Sequence, residues 1–135
     1  AFENHLSAVF DAHGLKYEKG SSTRVTEPGS KPDFLFPGFT EYHDSNFPIS
    51  DLFLLGAKTT CKDRWRQVLS EGRRIRLKHL ITIESPMSRS QTEEMKRNGI
   101  ALIVPQPLQP AFTQTQQAEL LTLKSFIREV AQSQE

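Results

Sequence analysis

The feature that most restricts the fold is an alternation of apolar patterns along the chain. Apolar runs of strand length lie at 33–37, 52–60, 79–84 and 100–104, and beyond residue 60 segments of helical spacing separate them. Residues 63–78 place Trp65, Val68, Leu69, Gly72 and Ile75 on one stripe, with charge on the other sides, which predicts a helix. A second helix is predicted over 89–98, stopped by Asn98-Gly99. Residues 2–13 put Phe2, Leu6, Val9, Phe10 and His13 at helical spacing ahead of Gly14. After Pro105, Pro107 and Pro110, a last amphipathic helix is expected near 115–132. Residues 18–31 read as loop with one edge strand near 23–26, and the loop between the first two strands carries Gly38, Pro48 and several aromatics. This order of elements specifies an α/β class, a mixed sheet of four to five strands flanked by helices on both faces. Ligands collect at the strand ends of such sheets.

Two residues with chemistry fall at those ends. Asp33 follows Pro32 at the mouth of an apolar run, where proline reads as the first residue of a strand. Lys58 closes the next run, a costly place for a charge without a partner. One carboxylate and one ammonium on adjacent strands suit phosphodiester hydrolysis, which needs a hard oxygen ligand for Mg²⁺ and a cation near the attacked phosphate. Glu71, in the predicted 63–78 helix, borders the apolar stripe on the side of Arg64 and brings a second carboxylate towards the same metal. The competing readings are ordinary: a turn-forming Asp33, a solvent-facing Lys58, and Glu71 in an ion pair with Arg74 or Arg64. Lys62-Asp63-Arg64 opens the same segment. Asp63 there serves either as a helix N-cap or, between two cations, as part of a major-groove reader of G·C pairs. Trp65 is read as core rather than as a stacking platform. His5, His13, His43 and His79 lack metal-ligand spacing.

Charge distribution says more than net charge. The 135 residues carry +1, but 58–78 holds eight cations against two anions, a balance of +6, leaving −5 for the rest. A basic stripe on an otherwise acidic chain is a footprint for a polyanion, and Arg66, Arg73 and Arg74 join the triplet as candidate DNA contacts; the plainer reading is a solvated helix face. The length suits one domain with a real core. Cys61 stands alone, so neither a disulfide framework nor a thiolate zinc site is available. No apolar run approaches membrane-spanning length and no secretory signal is present, so a cytoplasmic location without membrane association is expected. The first residue is Ala rather than Met, as in a piece of a longer protein.

With these residues in view, the chain resembles the catalytic domain of the EcoRII-type restriction endonucleases, a branch of the PD-(D/E)xK nuclease superfamily. The resemblance is carried by Lys31-Pro32-Asp33-Phe34-Leu35-Phe36-Pro37-Gly38, Tyr42-His43, the block from Ala57 to Gln67, Glu71 and Lys78-His79-Leu80. It continues weakly through 100–104 and covers most of 27–110. It implies that Asp33 and Glu71 are metal ligands and Lys58 the catalytic lysine, and that Tyr42 belongs to the active site. Position 56, where other branches carry the second acid, is glycine, so the displaced Glu71 is required. It further implies that Lys62, Asp63 and Arg64 read the CC/GG part of a CCWGG-type target, Lys62 replacing an arginine used by some branches. Mg²⁺ as cofactor, double-stranded DNA as partner, homodimeric action and an N-terminal effector domain in the full-length prototype are likewise implied. Two alternatives are a nuclease of repair or junction resolution on the same site, and a silent DNA-binding module. The silent module would be expected to lack one of Asp33, Lys58 or Glu71.

Overall fold

The computed structural model describes residues 1–84 and 86–135. Four strands, β1 (Phe34–Phe36), β2 (Phe53–Lys58), β3 (Lys78–Thr82) and β4 (Ile100–Ile103), form one sheet in the order β1-β2-β3-β4. β1 runs antiparallel to β2, with Phe34 opposite Leu55 and Phe36 opposite Phe53. β2, β3 and β4 are parallel, with Lys58 opposite Thr82. The mixed sheet expected from the sequence is thus found, with four strands.

Period-two alternation divides the strand residues between two cores. Phe34, Phe36, Phe53, Leu55, Ala57, Ile81 and Ile103 pack with Leu6 and Phe10 of α1 (Phe2–Ala12) and Phe126, Ile127 and Val130 of the last helix. Leu35, Leu54, Leu80 and Leu102 face the other way. They meet Phe39 and Tyr42 of α2 (Phe39–His43), Trp65 and Val68 of α3 (Trp65–Ser70), and Met95 of α4 (Arg89–Arg97). Trp65 is 1% exposed, a core residue as read. By the same alternation Asp33 and Lys58 belong to the α3 face.

Several predicted boundaries are corrected. The helix expected over 63–78 ends at Ser70; Glu71 has extended backbone and Gly72 takes φ 57, a left-handed conformation that glycine tolerates and other residues avoid. Gly72, counted as part of the apolar stripe, is therefore the breaker. A Cβ there would lie 2.5 Å from Leu54 Cδ1. Asp63 is not the N-cap, since Arg64 precedes α3 and no side chain caps it. The last helix is two, α5 (Gln114–Gln117) and α6 (Leu123–Ser133), each with its own capping box from Thr113 and Thr122. The edge pairing expected near 23–26 instead joins Glu18 to Leu35, and α2 occupies part of the predicted loop. Among the described residues no helix is long and apolar enough to cross a membrane.

Candidate active site

The antiparallel pairing of β1 with β2 brings the start of one strand beside the end of the other, and Asp33 and Lys58 meet there. Asp33 Oδ2 accepts from Lys58 Nζ at 2.9 Å and from the Ala57 backbone N–H at 2.8 Å. Both side chains are largely buried, at 17% and 11% exposed, so the ammonium is held by its partner and aimed within a low-dielectric rim. Both contacts fall on Oδ2, so Oδ1 is engaged by neither.

Glu71 reaches the same place from the turn that follows α3. Burial first, then the negative charge of Asp33, pushes its carboxyl up to about 7, against the opposing pull of Lys58 and Lys78. Among the described residues Glu71 makes no ion pair and accepts no side-chain hydrogen bond, so the pairing with Arg74 or Arg64 is not formed. Two partly buried carboxylates thus lie near one another with one of them poorly neutralised, an arrangement that a divalent cation relieves. Among the described residues no three His, Cys, Asp or Glu side chains are grouped to hold a metal. A pair of carboxylates is the donor set Mg²⁺ uses when substrate phosphates and waters complete its shell. Gly56 faces α3: a Cβ there would meet Val68 Cγ2 at 2.9 Å and Leu80 Cδ1 at 3.2 Å, leaving no room for an acid two places before Lys58.

A second group of polar residues lies behind Glu71, and of these Glu27 is not singled out by the sequence. Tyr42 Oη donates to Glu27 and accepts from the Arg74 N–H at 3.2 Å. Burial, then the hydrogen bond to Glu27, pushes the phenol up to about 12, so Tyr42 keeps its proton at neutral pH. Burial tends to raise Glu27, but hydrogen bonds led by that of Tyr42 outweigh it and hold the carboxyl below its ordinary range. Lys78, 5% exposed, donates to the Ile75 carbonyl at 2.5 Å; burial lowers its pKa while Glu27 and Glu71 work to raise it.

The basic run is divided by the fold. Lys58 and Lys78 are internal. Arg74 Nη1 donates to the carbonyls of Tyr42 and of Asp44, the latter at 2.9 Å, and Nη2 to that of Phe47, closing the chain after α2. Arg66 lies 4.4 Å from the Trp65 ring centroid and pairs with Glu94 of α4 at 2.7 Å. Lys62, Asp63, Arg64, Arg73 and Arg76 are exposed. The triplet sits on a turn in which Lys62 takes φ 34, strained for a side-chain-bearing residue. Gln91 Nε2 donates to the Lys62 carbonyl at 2.7 Å, and Glu84 accepts the Cys61 N–H, fastening that turn. Cys61 is buried and its thiol pKa is raised by burial, which makes it inert packing.

Solved restriction endonucleases share this architecture. Metal-depleted Ecl18kI in complex with uncleaved DNA superposes with a TM-score of 0.77 at 20% identity, over 97% of this chain and 43% of that one. A PspGI–substrate DNA complex gives 0.76 at 19%, over 98% and 60%. The fold is that of the restriction endonucleases. In sequence, the family described as "EcoRII C terminal" matches residues 1–127. The type II restriction enzyme EcoRII of Escherichia coli is 43% identical over 130 residues, 96% of this chain. The chain belongs to the EcoRII C-terminal family. It spans about a third (32%) of the length of that enzyme.

Proposed function

We propose that these residues form one catalytic domain of a type II restriction endonuclease, a Mg²⁺-dependent hydrolase of phosphodiester bonds in double-stranded DNA that acts as a homodimer at a CCWGG-like site. The observation that carries this reading is the convergence of Asp33, Lys58 and Glu71 at one end of the sheet, with Lys58 tied to Asp33 at 2.9 Å. A DNA-binding module without catalysis has no use for that trio. Family membership and the DNA complexes of the structural neighbours support the choice of substrate.

Asp33 and Glu71 would hold the metal. When bound, Mg²⁺ supplies Lewis-acid polarisation of the scissile phosphate and lowers the pKa of a water nucleophile. Asp33 also orients Lys58, whose ammonium balances charge developing on the phosphate oxygens, a contribution on the order of 10²–10³ in rate. Tyr42 remains protonated and acts from behind the carboxylates. Lys62, Asp63 and Arg64 project from their fastened turn and read base edges, with Arg73 and Arg76 on phosphates. Arg66 and Arg74 serve the fold instead.

The test is cleavage of DNA carrying CCWGG sites by Asp33→Asn, Lys58→Ala and Glu71→Gln, paired with binding in Ca²⁺. Glu71→Gln removes a charge that has no ion-pair partner, whereas Asp33→Asn and Lys58→Ala each leave the other member of the buried pair uncompensated, which typically costs about 3–5 kcal/mol, so folding of each variant is checked first by circular dichroism. All three should bind and none should cut. Near-normal turnover by Lys58→Ala would sink the assignment, and cutting that ignores sequence but requires branched DNA would move the chain to junction resolution.

A further inference from the structure

Thr26 to Ser30 form a tight turn of a defined kind. Ser30 N–H donates to the Glu27 carbonyl at 2.8 Å and Thr26 N–H to the Ser30 carbonyl at 3.1 Å; Pro28 and Gly29, at φ 80, occupy the two central positions. Proline followed by a positive-φ glycine is the type II pattern. This turn presents Thr26 Oγ1 and the Glu27 carboxylate to the segment leaving α3. There, three consecutive backbone donors have no partner in a helix or in the sheet. Gly72 N–H goes to Thr26 Oγ1 at 3.0 Å, Arg73 N–H to Glu27 Oε2 at 3.2 Å, and Arg74 N–H to Tyr42 Oη at 3.2 Å. Tyr42 Oη itself donates to Glu27 Oε2, so the three acceptors are not independent. Ser30 Oγ adds a bond to the Ser70 carbonyl at 3.4 Å.

Glu71 is the residue between these anchors. It lies outside α3, and its carboxylate accepts no side-chain hydrogen bond among the described residues, so its position is set through its backbone. We propose that Thr26, Glu27 and Tyr42 form a clasp that places Glu71 opposite Asp33, with Glu27 as its central positioning residue. The proposal rests on Glu71 being the second metal ligand. It replaces the active-site role expected for Tyr42 with an indirect one, through hydrogen bonds to Glu27 and to the Arg74 backbone. Partners that orient a metal ligand typically contribute about 10–100-fold in metal affinity.

The experiment compares Glu27→Ala, Glu27→Gln, Tyr42→Phe and Glu71→Gln. It reads amide exchange of the metal-free protein by NMR, and cleavage as a function of Mg²⁺ concentration. Glu27→Ala should lose protection at Arg73 and Arg74 while the strand amides keep theirs, and its half-saturating Mg²⁺ should rise about 10–100-fold. Glu27→Gln, which keeps an acceptor oxygen, should recover most of both losses. Tyr42→Phe keeps the ring in the core and should show the same two effects, which guards against misfolding of the alanine variant. Unchanged Mg²⁺ dependence in a Glu27→Ala or Tyr42→Phe protein that has lost this protection overturns the proposal, and so does unchanged protection. In either case Glu71→Gln would remain inactive. Normal cutting by Glu71→Gln would instead overturn the metal-ligand reading, and the positioning role with it.

Discussion

Replacing Glu71 by glutamine should make the metal-free protein more stable while destroying its activity. The Glu71 carboxyl is pushed from an ordinary 4.5 up to about 7, chiefly by burial and secondly by Asp33. The folded chain therefore holds this proton more tightly than the unfolded chain does. Well below 4.5 the group is protonated in both states and contributes nothing; between 4.5 and 7 the unfolded chain ionises first and folding loses stability; above 7 the whole cost is present. At about 1.36 kcal/mol per tenfold change in acidity, that interval amounts to about 3 kcal/mol, and solvent screening of a partly exposed group brings it to about 1–3. Glutamine keeps the volume and removes the charge. For a chain of this length, Tm of the EDTA-treated protein at pH 8 should rise by roughly 3–10 °C. The gain should shrink several-fold at pH 5, where wild-type Glu71 is already protonated. Differential scanning calorimetry at the two pH values decides the matter. No gain at pH 8, or the same gain at both, would refute the argument that burial and Asp33 strain this carboxylate.

Two further comparisons separate arginines that the sequence groups together. Arg64→Ala should cost about 1–3 kcal/mol of discrimination at one G·C pair in Ca²⁺ competition binding, whereas Arg66→Ala should leave discrimination intact and cost about 0–1 kcal/mol of stability. Equal loss on cognate and random DNA for Arg64→Ala would reduce the triplet to backbone contacts. Arg74→Ala orphans several carbonyls and should cost on the order of 2–3 kcal/mol in urea unfolding, while Arg73→Ala should leave stability alone and lower the salt slope of binding by about one. A stable Arg74→Ala protein with a flattened salt slope would reverse those roles.

The strands were legible because burial on both faces leaves an almost continuous apolar signature, as in Phe53-Leu54-Leu55. Asp33 and Lys58 were legible because a charge at the end of such a run demands a partner, and each is the other's. The end of α3 was not. Gly72 fits an apolar stripe on a helical wheel, and only the approach of Leu54 shows why the chain turns there. Charge counting carries no direction: Lys58, Arg66, Arg74 and Lys78 all contribute to the +6 balance, yet each makes an ion pair or hydrogen bond within the fold. Glu27 went unread for a simpler reason. Its Pro28-Gly29 neighbours signal a turn, but nothing local says that the turn docks against residues 46 positions further on.

The crowding at Gly56 closes one mutational route. An acid at that position would drive its Cβ to within 2.9 Å of Val68 and 3.2 Å of Leu80, both fully buried. On the proposal that Glu71 holds the metal, a chain that lost it could not recover by a single substitution two residues before Lys58 without shifting these side chains. It would first have to shave Val68 or Leu80, opening a cavity and giving up about 0.5–1.5 kcal/mol even for one methyl group, before the new carboxylate had any benefit. The intermediates on that path carry a weakened core together with a broken site. The seating of α3 on β2 and the address of the second carboxylate are therefore a joint commitment, one that later point mutations can refine but not individually undo.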